Sequence, residues 1–334
     1  MNVCVYGGGN VAHSLAAKIS STQSVTVITR RPASWARRLT FEQGGNIVES
    51  RYDVVATDDV GVAATADVIF IALPQFATDE SIDVLSRVMK RGATVVFTPA
   101  PSSTESFVRQ LSAIGVNAIG YQRVPYISRI IEYGKRVSIS IDRSVHRVAF
   151  SDASQFEPLS DVFSHWFGGS VSRLSSFLTF VFNNSNPLLH SSRMVVLFRN
   201  WRDRSYPVNP PFYAEWTDES SELYIAADRE MLSVLRAVDP SGTCERDYEP
   251  VLTHYGVVSA KELTEKIRSI ESFKKILSPM VLKDGLWLPD FSSRYFEEDV
   301  DVGLSEIVKR SRLFEVSSPV LEGLLTAMSE IRRS

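Results

Sequence analysis

The sequence has few cysteines and no excess of either charge. Cys4 and Cys244 are the only two among 334 residues, and they lie far apart, outside any Cys-x-x-Cys motif. This spacing excludes a disulfide scaffold and a cysteine-based zinc site, and it favours a reducing, cytoplasmic compartment. Lysine and arginine number 36 against 39 acidic residues, so the net charge of -3 gives no reason to expect a nucleic-acid partner.

Long hydrophobic runs are also missing. The longest apolar stretches, Val68–Leu73 and Phe177–Phe182, are far shorter than the roughly 20 residues that span a bilayer. The N-terminus lacks the basic segment of a signal peptide, so no membrane association is expected. No metal site is expected either. Hydrophobic residues at 44% and charged residues at 22% are typical of a globular chain, and the length suggests two domains.

The first half of the chain alternates between strand-like and helix-like segments. This alternation predicts a doubly wound α/β domain with a parallel sheet and right-handed crossovers. Three short segments after residue 136 are expected to complete the far edge of that sheet: Val137–Ile141, Val148–Phe150 and Val171–Arg173. The strands are expected at Val3–Tyr6, Ser24–Thr29, Ala66–Leu73 and Ala93–Thr98, and the helices at Val11–Ile19, Thr78–Met89 and Ser103–Ile114.

The second half reads as mostly helical. We therefore predict two domains, an α/β domain over residues 1–176 and an all-α domain over residues 177–334. The stretch Leu277–Tyr295, rich in proline and aromatic residues, is expected to be a loop. The helices are expected at Glu219–Val238, Ala260–Lys275, Gly303–Leu313 and Pro319–Arg332.

A glycine-rich turn follows the first strand. Gly7, Gly9 and Ala12 fit the pattern G-x-G-x-x-A, in which the glycines allow a tight turn and close approach of a pyrophosphate. Asn10 and Val11 then open a helix whose free N–H groups can bind phosphate. A glycine turn without a ligand is the alternative, but its place at the head of an alternating half indicates a Rossmann dinucleotide-binding domain.

The end of the second strand indicates which dinucleotide is bound. NAD-binding folds usually carry an acidic residue there, which bonds the ribose 2′-hydroxyl. This chain instead has Thr29, Arg30 and Arg31, and two guanidiniums suit a 2′-phosphate. We therefore expect NADP(H), with NAD(H) and a merely solvated basic turn as the alternatives.

Two polar segments of the second half are candidates for chemistry. His190 follows Asn183–Asn186, where polar residues interrupt an apolar helix and need partners or a cleft. Further along the chain, Arg294 could bind a carboxylate through two parallel hydrogen bonds, and Asp299 could orient an imidazole. A satisfied buried histidine and a solvated helix start are the alternatives. The other four histidines read as ordinary.

The chain resembles the opine dehydrogenase family of octopine and nopaline dehydrogenases over nearly its whole length. The most specific likeness is Arg294-Tyr295 followed by Glu298–Val300 and Gly303-Leu304. The other matching segments are Gly7–His13, Ala72–Ala77, Val124–Ile130, Tyr133–Lys135, the stretch with Asn186, Pro187 and His190, and Pro210–Tyr213.

The resemblance implies an active site in a cleft between the two domains. Members condense an α-keto acid with the amine of an amino acid, using NAD(P)H. It implies His190 as the catalytic histidine, Asp299 as its partner and Arg294 as the carboxylate clamp. Asn186 and Tyr213 are then substrate-binding residues, and Leu73 and Pro74 lie beside the nicotinamide.

Two other functions remain as alternatives. One is a 2-keto-acid reductase resembling ketopantoate reductase, although no lysine stands beside the asparagines as that family requires. The other is a non-catalytic NADP(H)-binding sensor. The keto acid, the amine, the direction of reaction and the oligomeric state, including a homodimer, stay open. The segment Pro99–Ser103 departs from the family pattern, which leaves the amine least defined.

Overall fold

The computed structural model describes residues 1–203 and 206–333, with side chains for all of these except 141, 142 and 203. The chain divides into two compact units, Met1–Phe180 and Val181–Ser334. The boundary expected from the sequence falls after residue 176, and we keep that two-domain division as a proposal.

The first unit is built on an eight-stranded sheet with the order β12-β11-β8-β7-β6-β1-β2-β5. The six strands from β5 to β8 in that order are parallel, β11 is antiparallel to β8, and β12 is parallel to β11. The predicted doubly wound α/β fold is thus confirmed. The strands of this unit are β1 (Val3–Tyr6), β2 (Val25–Ile28), β3 (Thr40–Gln43), β4 (Asn46–Glu49), β5 (Val54–Thr57), β6 (Val68–Ile71), β7 (Thr94–Phe97), β8 (Asn117–Tyr121), β9 (Tyr126–Glu132), β10 (Arg136–Asp142), β11 (Val145–Phe150) and β12 (Ser170–Arg173).

Helices cover both faces of the main sheet, which explains why its central strand β6 is apolar at every position. Successive side chains of a strand point to opposite faces. Phe70 of β6 accordingly packs in one apolar layer with Leu15 and Phe163, whereas Ile69 packs in the other with Ile82. The helices of this unit are α1 (Asn10–Ile19), α2 (Gln75–Val88), α3 (Thr104–Ala113) and α4 (Phe156–Phe167).

One predicted strand lies elsewhere than expected. The segment from 137 to 141 is part of β10, which pairs with β9 and β3 in a separate four-stranded sheet, so its assignment to the edge of the main sheet is wrong. Its pattern explains this, because buried Val137 and Ile139 alternate with Ser138 and exposed Ser140. A strand with one apolar face suits a sheet that is covered on one side only.

The second unit is mainly helical, as predicted. A helix with wide π-type turns, Tyr295–Leu304, precedes its last two α-helices. Within the described part of the chain, no helix is long and apolar enough to cross a bilayer. The α-helices, of which the first lies at the boundary between the units, are α5 (Thr179–Phe182), α6 (Asn186–Phe198), α7 (Asp218–Val238), α8 (Val251–Tyr255), α9 (Ala260–Ser269), α10 (Ser305–Leu313) and α11 (Pro319–Arg333).

The expected loop over 277–295 contains a β-hairpin instead. Strands β13 (Met280–Lys283) and β14 (Leu286–Pro289) pair antiparallel. Asp284 and Gly285 between them have φ values of 51° and 79°. Positive φ at both central residues is the requirement of a type I′ turn, and Asp-Gly is a favoured pair for it. The turn signal is therefore present in the sequence, and the loop prediction is wrong at these strands.

Helix α11 is capped by a side chain from another helix. The hydroxyl of Ser318, just before the helix, donates to Ser311 Oγ at 2.8 Å rather than capping the helix. The carboxylate of Glu230 on α7 instead accepts the backbone N–H groups of Val320 at 3.0 Å and Leu321 at 2.9 Å. A carboxylate at a helix N-terminus satisfies free donors and complements the helix dipole.

We expect Glu230→Ala to lower the free energy of unfolding by about 1–2 kcal/mol, the usual cost of losing a helix cap. Glu230→Gln keeps an acceptor and should lose less. Urea denaturation followed by far-UV circular dichroism measures both. Glu222→Ala, at an exposed position of the same helix, is the control and should change stability by less than about 0.5 kcal/mol. Equal losses for Glu230→Ala and Glu222→Ala would contradict the capping role.

Candidate active site

The glycine turn closes the carboxyl end of β1. Gly7 has a φ of +148°, and a Cβ there would lie 2.4 Å from the carbonyl oxygen of Ala72. Its N–H donates to the carbonyl of Ile28 at 2.9 Å. The ends of β1, β2 and β6 therefore meet at this residue, and the close approach to Ala72 requires glycine.

The next positions leave room for a ligand. A Cβ added to Gly9 would meet nothing within 4 Å, whereas Ala12 is buried and would lie 3.4 Å from a Cβ on Gly7. Among the described residues, no side chain caps α1 and no acidic residue lies in its first turn. The N–H groups of Asn10, Val11 and Ala12 thus begin a helix beside open space. These residues fit a dinucleotide pyrophosphate.

Asn10 also has a structural task. Its Oδ1 accepts the N–H of Ile130 at 2.8 Å, and its carbonyl accepts the hydroxyl of Ser128 at 3.1 Å. Both partners lie on β9, so Asn10 ties the glycine turn to the second sheet. Its side-chain oxygen is therefore occupied, which leaves the backbone N–H as the group of Asn10 that fits a phosphate. Val11, next to it, packs against the core.

His13 holds the turn from its other side. Its Nε2 accepts the N–H of Gly134 at 2.7 Å, so the proton lies on Nδ1, which donates to the carbonyl of Gly9 at 2.9 Å. Burial lowers the pKa of His13 and keeps this neutral form. The ring packs 4.2 Å from that of Trp35. His13 is thus a packed histidine beside the glycine turn.

The two arginines after β2 differ in their surroundings. The guanidinium of Arg31 lies over the ring of Tyr133, 5.6 Å from its centroid. Arg30 is exposed, and no ion pair in the described chain involves it. Thr29 is buried and donates its N–H to the carbonyl of Thr57 at 2.8 Å. Arg30 is therefore available for a phosphate, whereas Arg31 is engaged with an aromatic ring.

Leu73 and Pro74 complete this edge of the sheet. They follow β6, and Pro74 directly precedes α2. The strand order reverses between β1 and β6, because β1 leads to β2 on one side and β6 to β7 on the other. Ligands of doubly wound sheets bind at the carboxyl ends of the strands at such a switch point. The predicted cofactor residues of the first unit thus follow the carboxyl ends of β1, β2 and β6, at one edge of the sheet.

In the second unit, His190 lies at the centre of a buried hydrogen-bonded group. Its Nδ1 is 2.7 Å from Asp299 Oδ2, and its Nε2 is 2.8 Å from the hydroxyl of Tyr213. The three residues are 4%, 6% and 4% exposed, respectively. The structure thus brings three of the predicted site residues into direct contact, although they come from separate parts of the chain.

Asp299 reaches the histidine from the π-helix. That helix packs closely on α6, because a Cβ added to Gly303 would lie 2.4 Å from Pro187 Cγ. Pro187 stands in the first turn of α6, one turn before His190. The close approach of Pro187 therefore explains why a glycine stands at position 303. Helices with π-type turns are also frequent at functional sites.

Two arginines hold the loop that carries Tyr213. Arg193 Nε donates to the carbonyl of Phe212 at 3.1 Å, and Arg268 Nε donates to the carbonyl of Trp216 at 2.7 Å. Arg193 is buried, which lowers its pKa to about 10. Sequence reasoning missed Arg193, whose only signal is a charged residue three positions after His190 on an apolar helix.

Tyr295, also missed by sequence reasoning, covers the histidine ring. Its ring centroid lies 4.3 Å from that of His190. Burial raises the pKa of Tyr295, and the nearby charge of Arg294 opposes this rise. Arg294 is exposed, and its guanidinium forms no ion pair or hydrogen bond within the described chain. Asn186 begins α6, where its N–H donates to Asn184 Oδ1 at 3.2 Å.

The first unit carries a glycine turn that fits a dinucleotide, and the second carries a buried histidine–carboxylate pair. Residues 173–332 match the helical domain of the NAD/NADP octopine/nopaline dehydrogenases, and residues 2–101 match the F420-dependent NADP oxidoreductase domain. Both matched domains are those of NAD(P)-dependent oxidoreductases, and the predicted likeness to the opine dehydrogenases is thus confirmed.

Individual relatives agree with this assignment. Octopine dehydrogenase from Pecten maximus is 24% identical over 332 residues, covering 91% of this chain and 83% of the relative. A structure of octopine dehydrogenase with NADH and L-arginine has a TM-score of 0.86 at 23% identity, over 99% of this chain and 89% of the other. A ketopantoate reductase from Ralstonia eutropha is less similar, with a TM-score of 0.64 at 15% identity, over 100% and 99% of the two chains.

Proposed function

We propose that this protein is an NAD(P)H-dependent opine dehydrogenase, which condenses an α-keto acid with the amine of an amino acid and reduces the product to a secondary amine. The observation that carries the proposal is the buried chain Asp299–His190–Tyr213, which lies within the octopine-type helical domain. The octopine dehydrogenase with which it shares its fold was solved with L-arginine and NADH.

The reaction requires a group that both accepts and donates protons. The ammonium of the amino acid must lose a proton before its nitrogen attacks the keto carbon. The carbonyl oxygen then leaves as water and gains two protons, and a hydride from the reduced nicotinamide completes the secondary amine. Overall, one proton is taken from solvent. His190 is suited to both transfers, because an imidazole nitrogen can accept a proton and give it back.

Asp299 sets the state of that imidazole. Its carboxylate accepts the Nδ1 proton, so Nε2 is the nitrogen that gains and loses a proton during the reaction. The negative charge also stabilises the imidazolium when it forms. Arg294, with no ionic partner in the described chain, would hold the substrate carboxylate by a two-pronged contact. Asn186, at the start of the helix that carries His190, would add a polar contact to the substrate.

The carboxyl ends of β1, β2 and β6 in the first unit would hold the dinucleotide. The N–H groups of residues 10–12 would bind the pyrophosphate, and Gly9 leaves the space that it needs. Leu73 and Pro74 would border the nicotinamide. Arg30 would contact a 2′-phosphate, which favours NADP(H), whereas the stacked Arg31 would serve either cofactor through the adenosine.

We expect Arg30→Ala to weaken NADPH binding by about tenfold or more, because a charge-assisted contact to phosphate contributes roughly 1.5–3 kcal/mol. NADH binding should stay nearly unchanged. Arg31→Ala, the matched variant, should affect both cofactors alike. Fluorescence titration with NADPH and NADH measures the four affinities. A wild-type protein that prefers NADH, or equal losses for both cofactors in Arg30→Ala, would contradict NADP(H) specificity.

A screen of cofactor oxidation tests the proposed reaction itself. NADPH and NADH are offered with pyruvate, glyoxylate or 2-oxoglutarate, each with and without a panel of amino acids. Oxidation that depends on the amine supports the opine reaction. Oxidation by the keto acid alone would favour the ketopantoate-type reductase. The fold similarity supports that alternative less, because the TM-score to a ketopantoate reductase is 0.64. Cofactor binding without turnover would favour a sensor. The cytoplasmic location and a homodimer stay predictions.

A further inference from the structure

The imidazole of His190 has no ring nitrogen left for a substrate. Nδ1 is taken by Asp299 at 2.7 Å and Nε2 by Tyr213 at 2.8 Å. With its proton on Nδ1, the ring accepts at Nε2, so the Tyr213 hydroxyl is the donor of that bond. A proton that leaves or reaches Nε2 must therefore pass through the oxygen of Tyr213.

Tyr213 is held firmly in that position. Its ring stacks on Phe273 with centroids 4.2 Å apart and on Trp216 at 6.2 Å. The carbonyls on either side of it, those of Phe212 and Trp216, are bound by arginines. A side chain packed in this way on both sides keeps its hydroxyl at the histidine.

The two tyrosines beside His190 both keep their protons. Burial raises the pKa of Tyr213 and of Tyr295, so both phenols stay protonated at neutral pH. The ring of Tyr295 lies 4.3 Å from that of His190, whereas the Tyr213 hydroxyl is bonded to the imidazole directly. Tyr213 therefore brings a proton of its own to Nε2 of the histidine.

We propose that Tyr213 is a proton relay: His190 exchanges its proton with the reacting substrate through the Tyr213 hydroxyl. When the imidazolium gives up its Nε2 proton, Tyr213 takes it and passes its own proton to the departing carbonyl oxygen. Only N–H and O–H bonds change, and Tyr213 ends with the proton count with which it began.

This inference rests on the proposed opine reaction for its kinetic test. Tyr213→Phe keeps the stacked ring and removes only the hydroxyl, and we expect it to lower kcat about 100-fold. The KM for the keto acid and the affinity for the reduced cofactor should change little. Tyr248→Phe is the control, because it removes another largely buried hydroxyl of the same unit, which bonds Asp228.

The solvent isotope effect separates a relay from a packing role. In mixtures of H2O and D2O, several protons moving together give a curved dependence of kcat on deuterium content, whereas one proton gives a line. We expect a curve for the wild type and for Tyr248→Phe, and a line for Tyr213→Phe. Wild-type kcat and an unchanged curve in Tyr213→Phe would overturn the relay.

A second measurement needs no turnover. In protein labelled with 15N-histidine, the Nε2 signal of His190, identified by its loss in His190→Ala, should move in Tyr213→Phe and stay in place in Tyr248→Phe. An unmoved signal would overturn the relay whether or not the enzyme is active. If the wild type shows no amine-dependent oxidation but the signal moves, the proposed reaction fails while the hydrogen-bonded chain stands.

Discussion

His190→Ala is expected to lower kcat by about 10²–10⁴-fold, the usual contribution of general acid–base catalysis. The affinity for the reduced cofactor should stay the same, because the glycine turn that would bind it belongs to the first unit. Steady-state kinetics and fluorescence titration of the same variant measure both values. His254→Ala, at an exposed histidine that pairs with Glu249 at 2.9 Å, is the control and should keep normal turnover.

A double-mutant cycle with Asp299 sharpens this test. Asp299→Asn alone should also lower kcat strongly, because the amide no longer selects the Nδ1 proton or stabilises the imidazolium. Added to His190→Ala, it should cost little more, since groups that act as a unit are not additive. Near-normal turnover in His190→Ala would end the catalytic assignment. Additive losses would show instead that the two residues act separately, against the 2.7 Å contact between them.

Arg294→Lys is expected to raise the KM for the keto acid about 10–100-fold. A lysine keeps the charge but cannot reproduce the planar fork of a guanidinium on a carboxylate, where each charge-assisted bond contributes roughly 1.5–3 kcal/mol. A smaller fall in kcat should accompany the change, because the substrate is less well oriented. Initial rates over a range of keto-acid concentrations, at saturating amine and cofactor, give both constants.

The control for Arg294 is Arg312→Lys, at an exposed arginine of the same unit that pairs with Glu322 at 2.9 Å. It should leave the KM of the keto acid unchanged. An Arg294→Lys protein with a normal KM and a lowered Tm would show that Arg294 supports the fold, and the carboxylate clamp would then have to be another residue. A raised KM for the amine alone would place Arg294 at the amino-acid carboxylate instead.

Local patterns of the sequence determined the fold class and predicted the glycine turn. Gly7, Gly9 and Ala12 are recognisable because a turn and a close helix–strand contact require small residues at those positions. Strands that form continuous apolar runs likewise indicate a sheet that is covered on both faces. The Asp284-Gly285 turn carried an equally local signal, which the proline-rich surroundings masked.

The sequence could not predict side-chain contacts that form only when distant segments of the chain pack together. The side chain of Asn10 accepts a hydrogen bond from β9, and the guanidinium of Arg31 lies over the ring of Tyr133. Strand β10 pairs in a second sheet. The partners of Asn10 and Arg31 are distant in the chain. Nothing in the local pattern of Asn10 or Arg31 distinguishes a ligand-binding side chain from an engaged one. Both arginines are exposed, and only the tertiary structure showed that Arg31 lies over the ring of Tyr133.

The same division applies to the second unit. The sequence, through its family resemblance, predicted that His190, Asp299 and Arg294 belong to one site, but it said nothing of their geometry. His190 and Asp299 are 109 residues apart, and Tyr213 is 23 residues from the histidine. The tertiary structure decided that both imidazole nitrogens are taken and that Tyr295 covers the ring, because hydrogen bonds between distant segments depend on how α6, the π-helix and the Tyr213 loop pack together.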